Sequence, residues 1–98
     1  MITITAIIRA QPGHADTVQR ALLAVIESVR RDEPDTVNYY VTQSADDPNV
    51  FTTFERFRDI AAMETHNKSA AVAKFVEVAG PVLADKVTLH TCNELAAK

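Results

Sequence analysis

The sequence predicts a single α+β domain, residues 1–98, with a ferredoxin-like βαββαβ order and an antiparallel four-stranded sheet. Four segments have the two-residue alternation of β-strands, and two regions have the apolar spacing of amphipathic helices. Short turn signals separate these segments. Because strand crossovers are right-handed and both helices must cover the same sheet face, these elements favour one topology.

The first two elements are a strand and a long helix. Residues 2–9 alternate and are rich in β-branched side chains, which predicts a strand. Pro12-Gly13 then breaks the alternation. Residues 14–31 predict a helix, since an apolar stripe follows one of its faces: Val18, Leu22, Val25, Ile26 and Val29.

A β-hairpin is predicted next. Residues 37–44 and 50–57 are both rich in β-branched and aromatic side chains. Residues 46–49, with the sequence DDPN, predict the turn between them, because Asp bonds to its local backbone and Pro presets φ.

The second helical region is predicted to be interrupted. Asp59 is a candidate N-cap, and the apolar stripe that follows blurs at residues 66–68. Ser69 is a candidate N-cap for a fresh helix, which the Gly80-Pro81 pair is expected to end. Residues 86–92 alternate again and predict the last strand.

Composition argues against several classes of function. The formal net charge is −3 and the basic residues are scattered, whereas nucleic-acid binding requires a clustered positive face. No apolar run approaches the roughly 18 residues of a membrane span, and no signal-peptide pattern is present. The single cysteine, Cys92, allows no internal disulfide. We therefore expect a cytoplasmic protein that binds neither nucleic acid nor membrane.

The second face of the predicted sheet is also partly apolar. It carries Ile7, Tyr40 and Phe54, whereas two helices can cover only the opposite face. We expect a second copy of the chain to cover this face and form a homodimer, although scattered exposed aromatic residues are a common alternative.

Few side chains are candidates for metal binding, nucleophilic catalysis or cofactor binding. A metal site could be assembled from His66, His90 and Glu55, but the three histidines lack the close spacing typical of metal ligands, so we expect no metal. Cys92 lies in a strand, where a lone cysteine is usually a small apolar residue. No glycine-rich phosphate loop is present, so we expect no nucleotide cofactor.

His66 and Glu55 are the two unusual ionisable residues. His66 lies where the helix is interrupted, and such a gap over a sheet is a place where pockets form. Its imidazole is either a general base or a helix-end histidine bonded to backbone or solvent. Glu55 shares its strand face with Phe51 and Phe57. It either reaches solvent from an edge position, forms a structural ion pair with an arginine, or orients a ligand or His66. Tyr39 is expected in the core, with its hydroxyl seeking a partner.

The order of these elements resembles the antibiotic biosynthesis monooxygenase family over nearly the whole chain. Residues 51–69 are similar to the family's pattern F-x-x-x-E-x-(Tyr/Trp)-x-D-x-x-A-x-x-x-H-x-x-S. Further resemblances are the opening Ile-rich strand before Pro12-Gly13, Glu33-Pro34, Tyr39, Gln43-Ser44 and Asp47-Pro48.

The resemblance implies a dimeric α/β barrel that oxygenates a quinol, polyphenol or related aromatic molecule with O2 and without a cofactor. It implies that His66 is the general base and that Asn67 is a neighbouring polar contact. Phe57 and Met63 would be pocket walls, and Glu55 and Tyr39 would be polar or orienting groups.

Two departures from the family pattern bear on function. Phe57 stands where Tyr or Trp is commoner, and the chain contains no Trp, which the haem-degrading branch uses. The alternatives are a cofactor-free isomerase of a small carbonyl compound and a non-catalytic dimer that binds a small ligand.

Overall fold

The computed structural model describes all 98 residues. Its four strands form one antiparallel sheet in the order β2-β3-β1-β4, which is the predicted ferredoxin-like topology. The elements are β1 (Ile2–Arg9), α1 (Ala15–Asp32), β2 (Thr36–Gln43), β3 (Val50–Phe57), α2 (Ile60–Asn67), α3 (Ala70–Ala79) and β4 (Thr88–Asn93).

The core lies between the helices and one face of the sheet. On β1 and β3 the side chains alternate, so that Ile4, Ile8 and Phe51 face the helices and are buried. They meet the apolar stripe of α1, in which Val18 and Leu22 are buried as the spacing predicts. This packing fixes the register of the central strands, because a slip of one residue would exchange their two faces.

The interrupted helix is confirmed. Asp59 accepts a hydrogen bond from the amide of Ala62 at 2.9 Å and starts α2, and Ser69 accepts one from Val72 at 3.2 Å and starts α3. Both caps offer side-chain oxygens to amides that have no partner within the helix. His66 is thereby placed in the last turn of the short helix α2.

The Gly80-Pro81 pair lies at the end of α3. Gly80 has a φ of −48°, in the right-handed helical region, and the chain continues as a 3₁₀ turn through Val82. Gly80 therefore does not act as a left-handed cap. Pro81 ends the α-helix because it has no amide N–H to donate to the preceding turn.

The face of the sheet away from the helices is open. Tyr40 is 54% exposed and Phe54 is 40% exposed, and their rings lie 6.3 Å apart on neighbouring strands. Ile7 is partly buried on the same face. No helix in the structure is both long enough and apolar enough to cross a bilayer.

Candidate functional site

Glu55 projects from β3 into the space between the sheet and the helices. It follows Phe51 and Thr53 on the same face of the strand, as the alternation predicts, and it is only 6% exposed. The hydroxyl of Thr53 donates to Glu55 Oε2 at 2.7 Å. A carboxylate in such a place requires partners, because burying an unpaired charge is costly.

His66 from α2 is the principal partner of this carboxylate. Its side chain is buried, with the residue 2% exposed, and its Nε2 lies 3.4 Å from Glu55 Oε1. On the other side of the ring, Nδ1 lies 2.9 Å from Oε1 and 3.2 Å from Oε2 of Glu33. The imidazole is therefore held between two carboxylates that come from different parts of the chain.

Glu33 is the C-cap residue of α1, in the loop that leads to β2. The hydroxyl of Thr36 donates to Glu33 Oε1 at 2.8 Å, so a second bond fixes this carboxylate. Throughout the chain, no buried side-chain nitrogen or oxygen lacks a hydrogen-bond partner. We refer to Glu33, His66 and Glu55 together as the acid–imidazole cluster.

The two carboxylates of the cluster shift the pKa values of His66 and of the adjacent Tyr39. Burial by itself disfavours the charged imidazole, but Glu55 and Glu33 outweigh burial and raise the pKa of His66 above its ordinary value of 6.5. Burial, followed by the charges of Glu55 and Glu33, raises the pKa of Tyr39 far above that of a free phenol. Tyr39 therefore remains a neutral hydroxyl.

Aromatic rings enclose the imidazole. The ring centroids of Tyr39 and Phe57 lie 5.3 Å and 5.4 Å from that of His66, and both rings are tilted. Such contacts suit a cation, because the faces of aromatic rings carry partial negative charge.

A cavity of about 230 Å³ lies beside the cluster, between the sheet, α1 and α3. Its polar groups, namely Tyr39, Thr53, Glu55, His66 and Asn67, come from β2, β3 and the end of α2, and apolar side chains form the rest of its wall. Leu89 and Val76 line the cavity and are half-exposed or more, so it opens between β4 and α3. The apolar residues are Ile4, Ala6, Ile8, Leu22, Val25, Val72, Phe75, Val76, Val87 and Leu89.

The residues singled out from the sequence are not all at this cavity. His66, Tyr39, Glu55 and Asn67 line it. Phe57 is fully buried behind the His66 ring, and Met63 is partly buried on α2; neither lines the cavity.

The three residues considered as possible metal ligands, His66, Glu55 and His90, do not lie together in the structure. His90 pairs with Thr5 in the sheet and lies on the open face, opposite to Glu55. No three His, Cys, Asp or Glu side chains in the structure are arranged to hold a metal ion.

Glu33 is the site residue that sequence reasoning missed. Its position within Glu33-Pro34 indicated a turn, and the helical pattern gives no reason to expect its carboxylate to reach α2. The one available signal was that Glu33-Pro34 belongs to the same set of family resemblances as His66.

Comparison with known families gives one clear match. The model of a family described as antibiotic biosynthesis monooxygenase matches residues 1–78, which include all five polar residues of β2, β3 and α2 that line the cavity. Among curated proteins, no sequence matches the chain.

Solved structures agree with this fold. A protein from Pseudomonas aeruginosa is 30% identical, with a TM-score of 0.86 over 97% of this chain and 94% of that one. A protein from Shewanella oneidensis is 27% identical, with a TM-score of 0.84 over 93% and 87%. The structure titled "Putative antibiotic biosynthesis monooxygenase from Nitrosomonas europaea" is 18% identical, with a TM-score of 0.89 over 98% and 100%, and at that identity it supports the fold alone.

Proposed function

Because this chain belongs to the antibiotic biosynthesis monooxygenase family, we propose that it oxygenates a small quinol or polyphenol with O2 and needs no cofactor. The substrate occupies the cavity beside the acid–imidazole cluster. It gives up a phenolic proton to that cluster, and the electron-rich anion then reacts with O2.

The proposed reaction balances without an external reductant. An aromatic C–H bond becomes C–OH and a quinol becomes a quinone, which together release four electrons. One oxygen atom of O2 enters the product, and the other is reduced to water with two protons from the substrate. The protein has to supply an apolar pocket, a proton acceptor and groups that stabilise negative charge.

The observation that carries this proposal is the placement of His66. It is the one imidazole on the cavity wall, its orientation is fixed by Glu33 and Glu55, and the remainder of the wall is largely apolar. An aromatic ring can pack against the apolar wall while its hydroxyl meets the polar end. Asn67, exposed at the cavity, is available as a second polar contact.

The experiment is oxygen uptake by chelator-treated protein with 1,4-naphthohydroquinone and a panel of simpler hydroquinones. Enzyme-free samples measure autoxidation. We expect uptake above that background, and we expect His66→Ala to lower it by about 10²–10⁴-fold, which is the usual contribution of acid–base catalysis.

His14→Ala is the matched control, because His14 lies at the N-terminal end of α1 and does not line the cavity. It should retain full uptake. Equal uptake by His66→Ala and the wild type would contradict the role of His66. If the wild type shows no uptake but binds the quinols or isomerises a small carbonyl compound, one of the two alternative functions is correct.

We also propose that the active form is a homodimer joined through the open face of the sheet. That face exposes the Tyr40 and Phe54 rings on neighbouring strands, and a second sheet packed on it would remove them from water. Sedimentation should give about twice the chain mass of 10.8 kDa, and Phe54→Asp should shift the protein towards the monomer. A wild type that sediments as a monomer would contradict this arrangement.

A further inference from the structure

We infer that Glu55 is the group that accepts the phenolic proton, while His66 remains an imidazolium that holds the resulting oxyanion and Glu33 keeps that imidazolium in place. This inference rests on the proposed oxygenase function and changes the role expected for His66 from base to cation.

The geometry of the imidazole carries the argument. Both ring nitrogens face carboxylate oxygens, Nδ1 at 2.9 Å from Glu33 and Nε2 at 3.4 Å from Glu55. A neutral imidazole has one N–H, so it would donate to one carboxylate and point a lone pair at the other. The imidazolium carries an N–H on each nitrogen, so it can donate to Glu33 and form an ion pair with Glu55, and it offsets one of the two buried negative charges.

The titratable surroundings favour the same protonation state. The groups that face His66 are Glu33 at the end of α1, Glu55 on β3 and Tyr39 on β2. The two carboxylates raise the pKa of His66 despite its burial, and Tyr39 stays uncharged. Both effects favour the imidazolium, which has no lone pair with which to take a proton.

Glu55 is the better placed of the two carboxylates. It lines the cavity, whereas Glu33 does not. Its Oε2 accepts from Thr53, while its Oε1 lies 3.4 Å from His66 Nε2, longer than the roughly 2.7–2.9 Å of a tight charge-assisted bond. A substrate hydroxyl could donate to Oε1 and accept from the imidazolium N–H at the same time.

The step is a proton transfer without change of oxidation state. The phenolic O–H bond breaks, an O–H bond to Glu55 forms, and the electron pair stays on the phenolic oxygen. The imidazolium stabilises that oxyanion, and its Nδ1–H remains bonded to Glu33. The proton on Glu55 later passes to the oxygen atom that leaves as water, which regenerates the carboxylate.

A charged His66 and a neutral His66 acting as base predict opposite changes of oxygen uptake with pH. If His66 must be charged, oxygen uptake above background falls as pH rises through the pKa of His66. If neutral His66 were the base, uptake would rise through the same pKa. The pKa itself can be measured independently by following the ¹⁵N and ¹H NMR signals of the His66 ring against pH.

Three variants of the full chain complete the test. Glu55→Gln keeps the shape of the side chain but cannot accept the proton, so we expect uptake of 1,4-naphthohydroquinone to fall by about 10²–10⁴-fold. Glu33→Gln should keep Glu55 but lower the pKa of His66 and move the alkaline fall in uptake to lower pH. Glu64→Gln removes an exposed carboxylate from α2 and should behave as the wild type.

Binding of 2-naphthol, a phenol that lacks the second hydroxyl of a quinol, checks that each variant keeps its cavity. Glu55→Gln that binds 2-naphthol and retains uptake would overturn the inference, as would uptake that rises through the pKa of His66. A His66 ring that NMR shows to be neutral at pH 7 would overturn it whatever the uptake. Absence of uptake in the wild type at every pH would instead contradict the proposed function on which it rests.

Discussion

The two ends of the covered face of the sheet differ sharply in how they stabilise a buried residue. On β3, Phe51 is 1% exposed and lies in an apolar cluster with Ile8, Val18 and Leu22. Four residues further along the same strand face, Glu55 is also buried, at 6% exposure, but its neighbours are Thr53 and His66. One end is stabilised by packing, and the other by charge.

The difference shows that alternation along a strand decides which residues are buried but not how burial is compensated. An apolar side chain gains free energy when it leaves water. A carboxylate loses hydration and needs a counter-charge and hydrogen bonds. His66, when protonated, supplies such a counter-charge, and its ring lies between Glu33 and Glu55 rather than bonding to backbone or solvent.

Phe51→Ala tests the apolar end and should have the largest effect on stability. Removing a fully buried ring leaves a cavity, so we expect the free energy of unfolding to fall by about 3–5 kcal/mol. Urea unfolding followed by circular dichroism measures it. The loss should be the same at every pH between 5 and 9, because no titratable group is involved.

Phe51→Leu is the milder variant if Phe51→Ala does not fold, and about 1 kcal/mol is expected for it. A loss that changed with pH in either variant would show that the apolar end is coupled to the acid–imidazole cluster, and the distinction between the two ends would then be wrong.

The pH dependence of stability tests the polar end. We expect this change in the free energy of unfolding to be smaller than the loss caused by Phe51→Ala. The folded state raises the pKa of His66, so its contribution is complete below about pH 6.5, the pKa of an unfolded histidine, and is lost as pH rises through the folded value. We therefore expect the urea midpoint of the wild type to decrease over that alkaline interval.

His66→Leu removes the titrating group and should abolish this alkaline decrease. An alkaline decrease that persisted in His66→Leu would assign the titration to another group.

The sequence predicted more of the fold than of the site. Local signals were sufficient for the interrupted helix, since Asp59 and Ser69 cap amides within three residues of themselves. The end of α3 was less predictable, because Gly80 can adopt both left- and right-handed backbone conformations. The residues that follow Gly80, which continue as a 3₁₀ turn, decide between the two conformations.

The sequence alone determined the α+β class, the order of the elements and the side of β3 on which Glu55 lies, because hydrophobic alternation and capping depend on near neighbours in the chain. The tertiary structure decided what surrounds His66. Its contact with Glu33 spans 33 residues, from the end of α1 to the end of α2, and the pKa of an imidazole depends on charges in space whatever their separation in sequence. No local pattern records that contact, because the two carboxylates meet at the same ring only in the folded chain.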